Sequence, residues 1–112
     1  MIKFNGLDIE LTRGDSAQFK VNFYGRELPE DAVVLFTVKK RPREEDEPVI
    51  EKRLAAYNNA VRIGLSSADT NLKPRTYYWD IRVMFPLGDG TYEVKTPADP
   101  AAFTILEVVG DA

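Results

Sequence analysis

Residues 76–85, Thr-Tyr-Tyr-Trp-Asp-Ile-Arg-Val-Met-Phe, constrain the fold of this chain more than any other stretch. Side chains alternate across a strand with period 2, so Tyr77, Trp79, Ile81, Val83 and Phe85 share one face, while Tyr78, Asp80, Arg82 and Met84 share the other. The first face is wholly apolar and holds the single tryptophan of the chain. Such a segment is a half-buried strand, and its bulk places it in the middle of a core.

The rest of the chain repeats the same kind of signal. Ile9 and Leu11 alternate with Glu10 and Thr12 in a short strand, with an edge piece at Ile2 to Phe4 before it. Gly14-Asp15 marks a turn, after which Ala17, Phe19, Val21 and Phe23 alternate with Gln18, Lys20 and Asn22 until Gly25. Asp31 to Lys40 is apolar, β-branched and too short for a helix, with both faces partly buried. Residues 41–48 are charged and bracketed by Pro42 and Pro48, and their switch from basic to acidic predicts a solvated loop that pairs with itself. Val49 to Ala55 resumes extended structure with Ile50, Lys52 and Leu54 on one face. Asn58-Asn59 supplies a tight turn, and Ala60 to Leu65 follows, burying Val61, Ile63 and Leu65; together these predict a β-hairpin. Ser66 with Asp69 three residues on predicts a capped helical turn near 66–71, ended by Pro74. Beyond the aromatic strand, Gly88-Asp89-Gly90 predicts a second hairpin. Tyr92, Val94 and Thr96 follow, then interruptions at Pro97 and Pro100, and a closing strand through Phe103, Ile105 and Val108. About seven to nine strands at spacings of about 8 to 12 residues predict an all-β sandwich formed by residues 1–112 as a single domain.

Composition narrows the chemistry. At 112 residues, 44% hydrophobic and 29% charged, the chain can build one core without a metal or disulfide. It contains no cysteine and no histidine, which removes disulfides, thiolate nucleophiles, the commonest metal ligands and the commonest general base. A net charge of -3 argues against a nucleic-acid partner, because phosphate binding needs a basic face. No apolar run approaches the about 20 residues needed to span a bilayer, and the first eight residues lack the apolar core of a signal peptide. Synthesis in a cytoplasm, with no membrane partner, is the expectation.

Two resemblances bear on the fold. The run Ile63-Gly64-Leu65-Ser66-Ser67-Ala68-Asp69-Thr70, followed by Tyr77-Tyr78-Trp79, resembles the corner between strands E and F of an immunoglobulin-like domain. By that likeness Tyr77 is the corner tyrosine and Trp79 takes the place of the core cysteine. Leu72-Lys73-Pro74-Arg75-Thr76 between them looks like the corner motif of fibronectin type III domains, although that motif points to Tyr78, on the opposite face of the strand. The second resemblance covers nearly the whole chain. Arg13-Gly14-Asp15-Ser16, Leu35-Phe36-Thr37-Val38-Lys39-Lys40, Ser67-Ala68-Asp69-Thr70, Thr76-Tyr77-Tyr78-Trp79-Asp80-Ile81, a Gly-Asp-Gly hairpin and Phe103-Thr104-Ile105 occur in this order. The series resembles the immunoglobulin-like N-terminal domain of baseplate upper proteins, and related small tail proteins, of phages and prophages of Gram-positive bacteria. Ser16 stands where threonine is usual, and the likeness does not include that family's receptor-binding or fibre region. It implies a non-enzymatic structural protein of a virion, found there or in the host cytoplasm. Its partners would be other tail or baseplate proteins or itself, and no cofactor is implied.

Candidate sites are few. Arg13-Gly14-Asp15 is an adhesion tripeptide when displayed on an exposed loop, but here a turn between strands accounts for it. Asp80 is disfavoured in mid-strand and reads either as a metal-binding or catalytic acid or, more simply, as an acid that satisfies backbone donors or pairs with Arg82 or a cross-strand lysine. Glu44 to Glu47 lacks the ligand alternation and turn glycine of a calcium loop, and Asp89 reads as a turn residue. Two carboxylates about 5 to 9.5 Å apart could serve a glycosidase, but no acids stand at a telling spacing. No catalytic, metal or cofactor residue is therefore assigned. Tyr24, Tyr78, Arg82 and Tyr92 are the candidate interface, since Tyr and Arg commonly anchor protein contacts. Tyr77, Trp79, Ile81, Phe19, Phe36 and Phe103 are the expected core. The rival to a tail-assembly module is a carbohydrate- or cell-surface-binding immunoglobulin-like module.

Overall fold

Alternating apolar and polar residues set both the strands and the face each one buries. A computed structural model describes residues 2–24, 27–43, 45–96 and 99–108, and among these the chain is all-β. The strands are β1 (Lys3–Asn5), β2 (Asp8–Thr12), β3 (Ala17–Asn22), β4 (Val33–Lys39), β5 (Ile50–Ala55), β6 (Ala60–Leu65), β7 (Arg75–Pro86), β8 (Tyr92–Lys95) and β9 (Ala101–Leu106). Gly25, Glu44 and Pro97, read from sequence as a strand end, part of the acidic loop and a strand interruption, lie outside the described residues.

Seven strands form one sheet in the order β1-β2-β9-β7-β4-β5, with β8 also paired to β7. The 12-residue β7 is the spine: β9 pairs with its first half, from Arg75 to Trp79, and β8 with its last, from Val83 to Pro86. The pairings are antiparallel except that of β2 with β9, which is parallel. β3 and β6 form a separate two-stranded antiparallel sheet.

The two sheets share one core. Tyr77, Trp79, Ile81, Val83 and Phe85 of β7 are buried beside Val34, Phe36 and Val38 of β4, Phe103 and Ile105 of β9, and Val61, Ile63 and Leu65 of β6. Phe19 of β3 is partly buried and stands edge-on to Phe36 at 6.0 Å and to Trp79 at 6.5 Å between ring centroids. Fully burying such a side chain contributes about 1.5–3 kcal/mol, and the partly buried Phe19 supplies a share of that in holding the small sheet to the large one. Val108 lies past the end of β9 and is exposed, so the closing strand stops short of it.

Two sequence expectations need correction. Residues 49–65 do not form a paired hairpin. Asn58 and Asn59 adopt φ of 52° and 55°, which asparagine tolerates, and reverse the chain as expected. Yet the pairing stops at a single bridge, Tyr57 to Ala60; β5 remains on β4 while β6 crosses to β3. The reason lies at the turn: Asn59 Oδ1 accepts the Leu28 N–H at 2.8 Å, and its carbonyl accepts the Phe23 N–H at 2.7 Å, so the turn is bonded to the segment after β3.

The helical turn near 66–71 is also absent; the chain forms hydrogen-bonded turns instead. The reciprocal cap exists, with Ser66 N–H donating to Asp69 Oδ2 at 2.8 Å and Asp69 N–H to Ser66 Oγ at 3.1 Å. After one bond from Thr70 N–H to the Ser66 carbonyl, the buried Thr70 hydroxyl turns away and donates to the Asp15 carbonyl at 2.7 Å. That bond, with the Gly14 N–H donating to the Thr70 carbonyl at 3.3 Å, ties the 66–71 turn to the turn after β2.

Two further contacts close the molecule. The Tyr77 hydroxyl donates to the Lys73 carbonyl, four residues upstream, at 2.7 Å. Lys52, on the inward face of β5, pairs with Asp69 at 2.8 Å and bridges the flank between the sheets. Burial pushes the Asp69 carboxyl up, but hydrogen bonds from Lys52 and Ser66 outweigh it and hold the group below the ordinary aspartate value of 3.8.

Asn59→Ala loses both the tolerance of positive φ and the bond to Leu28. A loss of about 2 kcal/mol in denaturant unfolding is expected, with Asn59→Gly losing less because it keeps the backbone geometry. For Asp69, a folded pKa below the unfolded one means stability that is present above pH 3.8 and lost as pH falls through the folded value. Stability curves of the wild type and Asp69→Asn should therefore differ near neutral pH and converge in acid.

Candidate functional site

The outer face of the seven-stranded sheet, turned away from β3 and β6, carries the residues that the core does not use. Register lays them out in rows running across the strands. Asp80 of β7 lies opposite Thr37 of β4, which lies opposite Glu51 of β5. One step along, Arg82, Leu35 and Arg53 form the next row. Beyond it Val94 of β8, Met84, Val33 and Ala55 form a row without a polar side chain. On the other side of the acidic row, Tyr78 lies opposite Lys39. An acidic row therefore lies beside a basic one, and an apolar row lies beyond both.

Residues 42, 43 and 45–48 of the segment between β4 and β5 border this face and, with Leu35, Thr37, Glu51, Asp80 and Arg82, bound a groove of about 340 Å³. The loop does pair with itself: Arg41 holds Asp46 through Nε to Oδ2 and Nη2 to Oδ1, both 3.1 Å. Lys39 Nζ donates to the Arg43 carbonyl at 3.0 Å and ties the loop to the sheet. Asp46 is thereby committed to an internal partner. Among the described residues, no group of three acidic side chains is arranged to hold a metal.

Asp80 is half-buried, and its cross-strand neighbour is Thr37 rather than a lysine. Every buried side-chain oxygen or nitrogen among the described residues has a hydrogen-bond partner, so its carboxylate is not a buried orphan. No ion pair joins Asp80, Arg82, Glu51 or Arg53 to a neighbour among those residues. Asp80 and Arg82 lie two residues apart on one face, about 7 Å along the strand.

Three of the four candidate interface residues, Tyr78, Arg82 and Tyr92, share this outer face, and Tyr24 lies apart from them. Tyr78 and Arg82 border the outer groove. Tyr24, 88% exposed, lies past the end of β3 beside a second, mainly apolar cavity of about 300 Å³ lined by Leu7, Val21, Phe23, Trp79 and Ile81. Tyr92, 49% exposed, stands opposite Pro86 at the β7–β8 hairpin, on the outer face one row beyond Val94 and Met84. Sequence reasoning passed over Thr37, Leu35, Glu51 and Arg53. The signal was their alternation with buried neighbours, which becomes a surface only when the register of three strands is known.

The remaining motifs are turns. Gly14 has a φ of 84°, the Arg13 N–H donates to Leu106, and Arg13 Nε donates to Asn71 Oδ1 at 3.0 Å, which ties the Arg-Gly-Asp segment back to the body. Gly88 and Gly90 have φ of 86° and 89°. Between them Asp89 accepts from the Thr91 hydroxyl and N–H, and these bonds hold its carboxyl below the usual range.

Trp79 is 7% exposed, and its indole N–H donates to the Leu7 carbonyl at 3.0 Å. A stacking platform for a sugar needs an open ring face, and this ring is packed against Phe19 and Phe36.

No protein-family model matches the chain, and no curated protein matches it.

Because Trp79 is the single tryptophan, its fluorescence reports this environment directly. Iodide should quench it only weakly in the native protein and strongly after unfolding, and soluble oligosaccharides should leave its emission unchanged.

Proposed function

We propose that the chain is a non-enzymatic structural protein of a phage or prophage, an immunoglobulin-like module that acts in tail or baseplate assembly through protein–protein contacts. The observation that carries the contact reading is the outer sheet face. Alternation normally leaves the solvent side of an antiparallel sheet polar, yet Ala55, Val33, Met84 and Val94 form an apolar row across four strands there, with Val94 50% exposed. A face of this kind, bordered by Tyr78 and Arg82, has the composition of a protein contact site.

The immunoglobulin-like reading is supported by topology. With β3 as strand B, β4 as C, β5 as C′, β6 as E, β7 as F and β9 as G, the order C′–C–F–G on one side and B–E on the other resembles that of a variable-type domain. The bond from Tyr77 to the Lys73 carbonyl, near the start of the F-like strand, has the form of a tyrosine corner. The virion reading draws on the ordered motifs from Arg13 to Ile105 that resemble baseplate upper proteins.

Gradient-purified virions from a host whose phage or prophage encodes the chain should contain it in fixed ratio to tail proteins, as read by quantitative mass spectrometry. Virions that carry a complete tail and lack the chain would overturn the reading.

A further inference from the structure

We infer that the outer face of the seven-stranded sheet binds the same face of a second copy of this chain, as a two-fold dimer. The inference rests on reading the chain as a contact module and names the partner of that surface; it does not depend on the virion assignment.

A two-fold interface must be complementary to itself, because the same patch faces its own image. The charge rows meet that condition in one orientation. Asp80 and Glu51 form an acidic row; Arg82 and Arg53 form a basic row directly beside it, on the same two strands. A two-fold axis lying across the strands, midway between these rows, exchanges them. Asp80 of each copy then faces Arg82 of the other, and Glu51 faces Arg53, on both sides of the axis. The same operation sets Thr37 over Leu35, Tyr78 over Met84 and Lys39 over Val33. The aromatic ring and the lysine stem thus cover the apolar row.

The alternative axis, running along the strands, keeps each row at its own height. It would bring Asp80 over Glu51 and Arg82 over Arg53, a like-charge arrangement that is disfavoured. The pattern therefore selects one orientation as well as one partner. The four charged groups have no ion-pair partner within the chain among the described residues, so docking does not require breaking one.

Symmetry makes the test sharp. Asp80→Arg puts two basic side chains on the outer face of β7, and Arg82→Asp puts two acidic ones there. Each variant turns both symmetry-related Asp80–Arg82 contacts into repulsions and should raise the dimer dissociation constant about tenfold or more. An equimolar mixture of the two variants restores every opposed pair and should dimerise as a heterodimer. Met84→Glu, which charges the apolar row, should dissociate the dimer without being rescued in this way. The measurements are sedimentation velocity over a concentration series and native mass spectrometry of the mixture. Far-UV circular dichroism and Trp79 fluorescence confirm that each variant is folded. A wild-type chain that stays monomeric into the high-micromolar range would overturn the inference. So would single variants that dimerise like the wild type, or a folded mixture that yields no heterodimer. None of these outcomes bears on whether the chain is found in virions, which the virion composition decides separately.

Discussion

The fold depends on Phe19 reaching across to Phe36 and Trp79. A two-stranded ribbon is marginal in water, and β3 with β6 is such a ribbon. Its existence follows from the apolar face it can lay against β4 and β7. That contact is also what makes the reversal at Asn58-Asn59 useful: the turn delivers β6 to the second layer instead of returning it alongside β5. Lys52 and Asp69 then bridge the flank where the two layers separate.

Much of this was legible in the residues themselves. The five inward side chains of β7, the alternation of β2 and β3, the apolar β4 with both faces partly buried, and the glycine turn before β8 each follow from local period and turn chemistry. The failures share a physical cause. Asn58-Asn59 encodes a reversal, but whether the flanking strands pair or part depends on Leu28 and Phe23, distant in sequence, bonding to Asn59. Ser66 and Asp69 encode a cap, but the Thr70 carbonyl accepts from the Gly14 N–H and its hydroxyl donates to the Asp15 carbonyl, both distant in sequence. In both cases a long-range hydrogen bond overrode a sound local signal. The candidate site was legible in part: Tyr78, Arg82 and Tyr92 do share the outer face, whereas the rows beside them exist only once β4 and β5 are in register.

The inner and outer faces of the large sheet answer to different demands. Inside, bulk and shape decide, and Trp79 serves as packing with its N–H spent on Leu7. Outside, the alternation that predicts solvent-facing polarity gives way at Val33, Met84 and Val94 to apolar residues. Asp80, unusual as a mid-strand acid, belongs to this outer pattern. Its role is read from what lies beside it on neighbouring strands rather than from a partner within the chain.

The parallel pairing of β2 with β9 has a mechanical consequence. Tension that draws the chain apart at its two ends pulls β2 toward its beginning and β9 toward its end. Because the strands run the same way, those pulls oppose each other along a common line. Once the short β1 has peeled away, the hydrogen bonds from Ile9 through Thr12 to Phe103 through Leu106 bear the load together in shear. An antiparallel pair in that position would open one bond at a time, like a zip. A module built this way resists stretching along its own length.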